Sequence, residues 1–124
     1  MTTVRAFEFS GRLRSFQHAG RGVAVMMASQ HNAWIHAAAT VVVILAGLLL
    51  RIPTPSWCLL TLAMVLVWVA EALNTAVEYL CDVASPEFHP LVQKSKDVAA
   101  GAVLLSALGA VIVGAFVFEP YIWH

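Results

Sequence analysis

Three long intervals of the sequence contain no Asp, Glu, Lys or Arg, and this pattern constrains the fold more than any other feature. They run from Gly22 to Leu50, from Ile52 to Ala70 and from Val98 to Phe118. A helix needs about 20 predominantly apolar residues to cross a bilayer, and each interval can supply them. Charged residues make up 11% of the chain, whereas a soluble domain usually carries about 25%. The sequence therefore predicts an all-α integral membrane protein with three transmembrane helices.

The 124 residues leave room for a single domain. We expect an N-terminal surface helix at about 4–29 and spans at about 33–50, 57–82 and 97–118. The first segment alternates arginines with apolar side chains, which is typical of an amphipathic helix on a membrane surface. A frayed tail is the alternative for this segment. The connection 51–56 contains two prolines, which end the preceding helix.

The distribution of basic residues predicts the orientation in the membrane. Four arginines precede the first span and two lysines separate the second from the third, whereas the first connection holds only Arg51. By the positive-inside rule, the N-terminus and the loop at 83–97 face the cytoplasm. Trp57, Tyr121 and Trp123 would then mark the opposite interface, where amphipathic aromatic rings settle.

A polar stripe runs along one face of the second predicted span. At helical spacing it contains Glu71, Asn74, Glu78 and Asp82. Burying a carboxylate in a membrane costs several kcal/mol unless a cation or a proton offsets the charge. Glu71 directly follows apolar residues, so we expect a functional role for it, whereas Glu78 and Asp82 could emerge into water. The two glutamates are about 10 Å apart along a helix axis, so one could bind a metal while the other accepts a proton.

A second polar cluster lies between the second and third spans, from Ser85 to Asp97. Lys96 and Asp97 are adjacent, so on a helix their side chains point about 100° apart and do not pair with each other. The negative charge of Asp97 could interact favourably with the helix dipole at the start of the third span. Alternatively, Lys96 offers a cation for a phosphate and Asp97 an acceptor for a bound group. These residues alone leave both interpretations open.

Several function classes are excluded by what the chain lacks. Seven basic and seven acidic residues give no net charge, so a nucleic-acid partner is not expected. The sequence contains no glycine-rich phosphate-binding loop, no zinc-protease motif and no nucleophile elbow. Nucleotide chemistry would therefore have to use carboxylates, a metal and a lysine at the membrane surface, which is enough for phosphoryl transfer.

Together these motifs resemble the prokaryotic diacylglycerol kinase and undecaprenol kinase family. The matching residues are Glu71-Ala-Leu-Asn-Thr-Ala-Val-Glu78, Asp82, His89-Pro90, Lys96-Asp-Val-Ala-Ala-Gly-Ala-Val103, Ser15-Phe-x-His-Ala-x-Arg-Gly22, Asn32 and Ile35-His36. The resemblance covers nearly the whole chain without gaps. It implies an ATP- and Mg²⁺-dependent kinase of a membrane lipid alcohol, in the bacterial inner membrane. It also implies a homotrimer whose active sites lie at subunit contacts near the cytoplasmic interface.

The resemblance also implies a role for individual residues. Glu71 would be the general base that takes the proton of the lipid hydroxyl, and Glu78 would hold Mg²⁺ with support from Asn74. Arg14 and Ser15 would line the lipid approach. The nucleotide would be bound by Glu78, Glu87, His89, Lys96 and Asp97. Two motifs, Ala72-Leu-Asn-Thr-Ala76 and Ala99-Ala-Gly-Ala-Val103, resemble the undecaprenol kinase branch more than the diacylglycerol kinase branch.

This chain departs from the family pattern at the metal site. Gln30 stands where the family usually has a glutamate that shares the metal with Glu78, and Trp34 stands where a basic residue is expected. An amide oxygen can bind Mg²⁺ but brings no charge, so the metal affinity should be lower. Besides an active lipid kinase, two functions stay open. One is a weakened family member that binds a lipid or a partner, and the other is a small proton-coupled transporter that uses Glu71.

Overall fold

Four helices make up the part of the chain that the computed structural model describes, residues 9–123. They are α1 (Phe9–Ser29), α2 (His31–Leu50), α3 (Thr54–Ala84) and α4 (Pro90–Ile122). The last three are long and apolar enough to cross a membrane. The chain is therefore an all-α membrane protein, as its uncharged intervals predict. The part of the expected surface helix at residues 4–8 lies outside the described residues.

A bend at Gln30 separates α1 from α2. Its backbone is extended, with φ −112° and ψ 116°, so the helical hydrogen-bond ladder is interrupted there. Of the α1 side chains only Met26 is buried, whereas Phe9, Leu13 and Phe16 are exposed at helical spacing. α1 is thus a separate helix that presents an apolar face and carries arginines elsewhere, as expected for a surface helix.

The connection between α2 and α3 is a tight turn in which Trp57 packs directly on a helix backbone. Arg51 caps α2 in the left-handed conformation and its N–H donates to the carbonyl of Gly47. A Cβ atom added to Gly47 would lie 2.6 Å from Cη2 and 2.8 Å from Cζ2 of Trp57. Trp57 is half-buried in the packing of this turn, and its expected position at the membrane interface stays a prediction.

The apolar core lies at this same end of the molecule. Its buried members are Ile52, Leu60 and Val117, and Val43, Trp57, Met64, Val113 and Phe118 pack around them. The core ties α2, α3 and α4 together, with the most extensive helix contact between α3 and α4. The polar cavity described below lies toward the other end of α3, away from this apolar core.

α4 begins well before the third predicted span. Pro90 occupies its first turn, where the fixed φ of proline suits a helix start, and the Nδ1 atom of His89 accepts from the N–H of Leu91 at 3.1 Å. The loop is therefore shorter than the expected 83–97 segment. The hypothesis that Asp97 favours the dipole at a helix start is wrong, because that residue lies about two turns inside α4.

We expect Gly47→Ala to destabilise the protein by about 1–3 kcal/mol, because the added methyl group overpacks the contact with Trp57. The loss should occur although alanine is the better helix former by about 1 kcal/mol. Gly109→Ala is the matched control, since a Cβ there meets no atom within 4 Å among the described residues. Unfolding of both variants by SDS titration, followed by circular dichroism in micelles, checks this. Equal stability of the two would contradict the packing argument.

Candidate active site

A cavity of about 350 Å³ opens between the start of α2, the C-terminal half of α3 and the middle of α4. Its polar lining consists of Gln30, Asn32, His36, Glu71, Asn74 and Glu78. α4 contributes only apolar residues, which include Ala100 and Ala107. The cavity therefore collects polar groups from two helices against an apolar wall from a third.

Glu71 is the most deeply buried polar residue of this cavity. Its side chain is 0% exposed, and neither carboxylate oxygen has a hydrogen-bond partner within residues 9–123. Oε2 lies 3.3 Å from Nε2 of His36, close enough for attraction but not aligned for a hydrogen bond. A buried carboxylate with unsatisfied oxygens is costly to the fold. Such a group is expected where a ligand or a proton completes the site.

Glu78 lies in a second polar contact of the same cavity. Its Oε2 accepts from Nε2 of Gln30 at 2.6 Å, and its Oε1 accepts from Nδ2 of Asn74 at 3.4 Å. The Oδ1 atom of Asn74 is buried and has no partner in the described part of the chain. The structure thus brings together the three residues that the resemblance assigns to the metal.

These three residues fit a magnesium ion. Mg²⁺ prefers oxygen ligands and is usually held by one or two carboxylates together with substrate phosphates. Glu78 supplies one carboxylate, and Asn74 supplies a buried oxygen that is already unpaired. A rotation of the Gln30 amide would present its oxygen in place of the nitrogen that now donates to Glu78. No group of three His, Cys, Asp or Glu side chains within residues 9–123 could hold a metal alone.

Burial decreases along the polar stripe of α3. Glu71 and Asn74 are buried at 0% and 6% exposure, Glu78 is half-buried, and Asp82 is exposed. This gradient agrees with the expectation that the stripe emerges from an apolar region. It separates Glu71, which is enclosed by protein, from the two carboxylates that solvent reaches.

The residues at the start of α4 form contacts outside this cavity. Nζ of Lys96 lies 3.0 Å from Oδ1 of Asp82 on α3, and Nε2 of Gln93 donates to Oδ1 of Asp97 at 2.9 Å. Lys96 and Asp97 therefore have separate partners, as their adjacency predicts. Lys96 lies before the uncharged interval of α4. The hydrogen bond from Lys96 to Asp82 and the negative charge of Asp82 raise the pKa of the Lys96 ammonium group above its ordinary value.

The remaining predicted site residues also lie away from the cavity lining. Glu87 and His89 are exposed in the loop before α4, where His89 caps the helix. Arg14 and Ser15 are exposed on α1. No contact within residues 9–123 joins these four side chains to Glu71, so their nucleotide and lipid roles stay predictions.

The sequence interpretation assigned no role to His36. The signal that could have found it was an ionisable group within the first uncharged interval, since such groups inside a membrane segment are functional candidates. Histidine is not among the four charged residue types that define the uncharged interval, so the interval itself does not reveal His36. Its contact with Glu71 across two helices became visible only in the tertiary structure.

Comparisons with known proteins identify the family of this chain. The sequence profile of the family described as prokaryotic diacylglycerol kinase matches residues 17–118. An undecaprenol kinase of Bacillus subtilis is 35% identical over 113 residues, which cover 91% of this chain and 92% of that protein. A diacylglycerol kinase of Synechocystis sp. is 42% identical over 109 residues, or 87% of this chain and 62% of that one.

A more distant relative is a diacylglycerol kinase of Escherichia coli. It is 36% identical over 87 residues, which cover 64% of this chain and 71% of that protein. The profile match spans most of the chain, and the Bacillus relative is matched over nearly its full length. The chain therefore belongs to the prokaryotic diacylglycerol kinase family of lipid kinases.

Proposed function

We propose that the protein is an ATP- and Mg²⁺-dependent kinase that transfers the γ-phosphate of ATP to the hydroxyl group of a membrane lipid. The observation that carries the proposal is the buried carboxylate of Glu71, whose oxygens are unsatisfied by residues 9–123, in a cavity shared with Glu78. Membership of a lipid kinase family supports it. The proton-coupled transporter is not supported by that membership.

In this mechanism Glu71 is the general base. The lipid hydroxyl oxygen forms a bond to the γ-phosphorus, the bond to the β–γ bridging oxygen breaks, and ADP leaves with that electron pair. The hydroxyl proton passes to a carboxylate oxygen of Glu71, and neither of its oxygens accepts a hydrogen bond within residues 9–123. A positioned base of this kind contributes roughly 10²- to 10⁴-fold to the rate.

Glu78, Asn74 and Gln30 would hold Mg²⁺. Bound there, the ion would neutralise part of the charge on the phosphates. Glu78 lies two turns from Glu71 on the same helix, so a group held at Glu78 and a hydroxyl at Glu71 share one cavity. The three side chains already contact one another through Glu78, so they are positioned for a common ligand.

The nucleotide would extend from Glu78 toward Lys96, Asp97, Glu87 and His89 at the water-exposed end of the bundle. The pairing of Lys96 with Asp82, which follows Glu78 by one turn on α3, supports this direction. The positive-inside distribution of arginines and lysines supports a cytoplasmic position for that end and for the N-terminus, on the side where ATP is available. Arg14 and Ser15 on α1 would guide the lipid from the membrane surface.

We further propose that the protein is a homotrimer with active sites at subunit contacts. Within one chain, the proposed nucleotide residues of α4 do not line the cavity that contains Glu71. The nucleotide residues of a neighbouring subunit could line this cavity instead. Such a subunit could pack on α4, because that helix presents many exposed apolar side chains. Light scattering of the purified protein in detergent tests the stoichiometry.

The lipid substrate is proposed to be undecaprenol, with diacylglycerol as the alternative. Two motifs of α3 and α4 resemble the undecaprenol kinase branch, and the Bacillus relative matched over 92% of its length bears that name. Other relatives are named diacylglycerol kinase. Direct competition between the two lipids is the appropriate test.

The decisive experiment offers diacylglycerol and undecaprenol side by side in mixed micelles with radiolabelled ATP and Mg²⁺. We expect phosphate to appear on one lipid and to disappear when EDTA removes the metal. Transfer to neither lipid by a folded protein that binds ATP would contradict the proposal. Transfer that continues in EDTA would contradict the metal requirement.

A second candidate, a catalytically weakened family member, is favoured by one observation, the amide of Gln30 at the metal site. We expect Gln30→Glu to lower the Mg²⁺ concentration needed for half-maximal activity, because a second carboxylate adds charge to the site. Without metal the variant should have a lower melting temperature, since two carboxylates would replace a 2.6 Å hydrogen bond. Gln17→Glu on exposed α1 is the control. A large gain in turnover would support the weakened state, and unchanged metal dependence would contradict the role of residue 30.

A further inference from the structure

His36 brings an imidazole to the buried carboxylate of Glu71 from a different helix. Its side chain is 16% exposed, and its Nε2 atom lies 3.3 Å from Oε2 of Glu71. Neither atom has a hydrogen-bond partner within residues 9–123. Hydrogen bonds of catalytic groups are often long or poorly aligned without substrate and tighten in the complex. The two groups are therefore close enough to pair with only a small adjustment.

Two further residues hold His36 in place relative to α3. The hydroxyl of Thr40 donates to the backbone carbonyl of His36 at 2.7 Å and accepts from Nε1 of Trp68 at 3.1 Å. The imidazole ring also packs edge-on against Trp68, with ring centroids 6.2 Å apart. Trp68 lies one turn before Glu71 on α3. The backbone and the ring of His36 are thus tied to the helix that carries the proposed base.

His36 also lies at the boundary between two cavities. One is the polar cavity of Glu71 and Glu78. The other has a volume of about 250 Å³ and an apolar lining that includes Ala39, Ala63 and Ala107. His36 lines both. The imidazole therefore stands where the polar site meets the apolar interior, and its removal would leave space for a small molecule.

We propose that His36 is a positioning residue for Glu71. Its Nε2–H holds Oε2 of the carboxylate, so that Oε1 is directed to the lipid hydroxyl. A base oriented by a third group is a general requirement for efficient proton abstraction, and a free carboxylate rotates about its terminal torsion. The inference rests on the proposed kinase function and assigns His36 no contact with substrate.

Only one proton changes place in this step. The proton of the lipid hydroxyl passes to Oε1 of Glu71 as the bond to phosphorus forms, and ADP leaves as described above. The Nε2–H proton of His36 remains on the imidazole throughout. His36 therefore affects the rate by fixing the geometry of the base, and not by relaying the proton.

The test compares His36→Ala, His36→Gln and the control His31→Ala, which alters an exposed histidine of the same helix. We expect His36→Ala to lower kcat by about 10²-fold, the size of effect that misplacement of a reacting group by 1 Å produces. The KM for ATP should stay unchanged. Glutamine keeps an N–H donor, so His36→Gln should recover much of the kcat, and added imidazole should partly rescue His36→Ala. Circular dichroism and light scattering verify that each variant is folded and assembled.

The outcomes separate this inference from the function on which it rests. No transfer by the wild-type protein overturns both. An active wild type with unchanged kcat in His36→Ala overturns the positioning role alone. Loss of activity that neither glutamine nor imidazole rescues in a folded protein overturns it as well, because a merely structural role would then explain the loss.

Discussion

Glu71→Gln is expected to lower kcat by about 10²- to 10⁴-fold, the usual contribution of a positioned general base. Glutamine keeps the size of the side chain and one acceptor oxygen but accepts no proton at working pH. Turnover of the lipid in mixed micelles with saturating ATP and Mg²⁺ measures the effect. The KM for ATP should change little, since Glu71 is not assigned to the nucleotide.

The same substitution should leave the melting temperature unchanged or raise it. The carboxylate is 0% exposed and its oxygens have no hydrogen-bond partner within residues 9–123, so removing its charge relieves a desolvation cost. Glu119→Gln, an exposed glutamate near the end of α4, is the matched control for loss of one charge. Normal turnover in Glu71→Gln would refute the role of general base.

Glu78→Gln is expected to raise the Mg²⁺ concentration for half-maximal activity by at least about 10-fold. Removing even an outer partner of a metal ligand typically costs 10- to 100-fold in affinity, and here a direct ligand would lose its charge. Titration of Mg²⁺ at fixed ATP measures the shift, and Glu119→Gln again controls for the change in net charge.

The contacts of Glu78 sharpen this prediction. Gln30 donates to Oε2 and Asn74 to Oε1 of its carboxylate. The amide that replaces it keeps one acceptor oxygen, and its NH2 group can donate to the unpaired Oδ1 of Asn74 once the Asn74 amide rotates. The fold should therefore tolerate the substitution, so that the metal requirement changes without a loss of helix content. An unchanged Mg²⁺ titration in a folded variant would show that the metal is not held at Glu78.

Much of the fold could be predicted because the membrane leaves few choices. In a bilayer every backbone polar group must be satisfied internally, so each long uncharged interval becomes a helix. The end of α2 at Leu50 also follows from the prolines that come next. The start of α4 at Pro90 could not be predicted from hydropathy, because the charges at Lys94, Lys96 and Asp97 delay the start of the uncharged interval until after the helix itself begins.

The site could be predicted in part for a different reason. Glu71, Asn74 and Glu78 lie on one helix, so their spacing alone places them on one face. Only the family resemblance assigns Gln30 to the same site, and in the structure its side chain donates a hydrogen bond to Glu78. The packing of Trp57 on Gly47 could not be predicted, because it depends on the geometry of the turn.

The sequence by itself determined the class of the protein, the number of spans and the polar stripe, because these depend on hydropathy and on the period of a single helix. The tertiary structure alone decided which groups face one another across helices: His36 with Glu71, Gln30 with Glu78 and Lys96 with Asp82. Such contacts depend on the rotation and register of packed helices. Those are set by side-chain packing between distant segments, which no local pattern encodes.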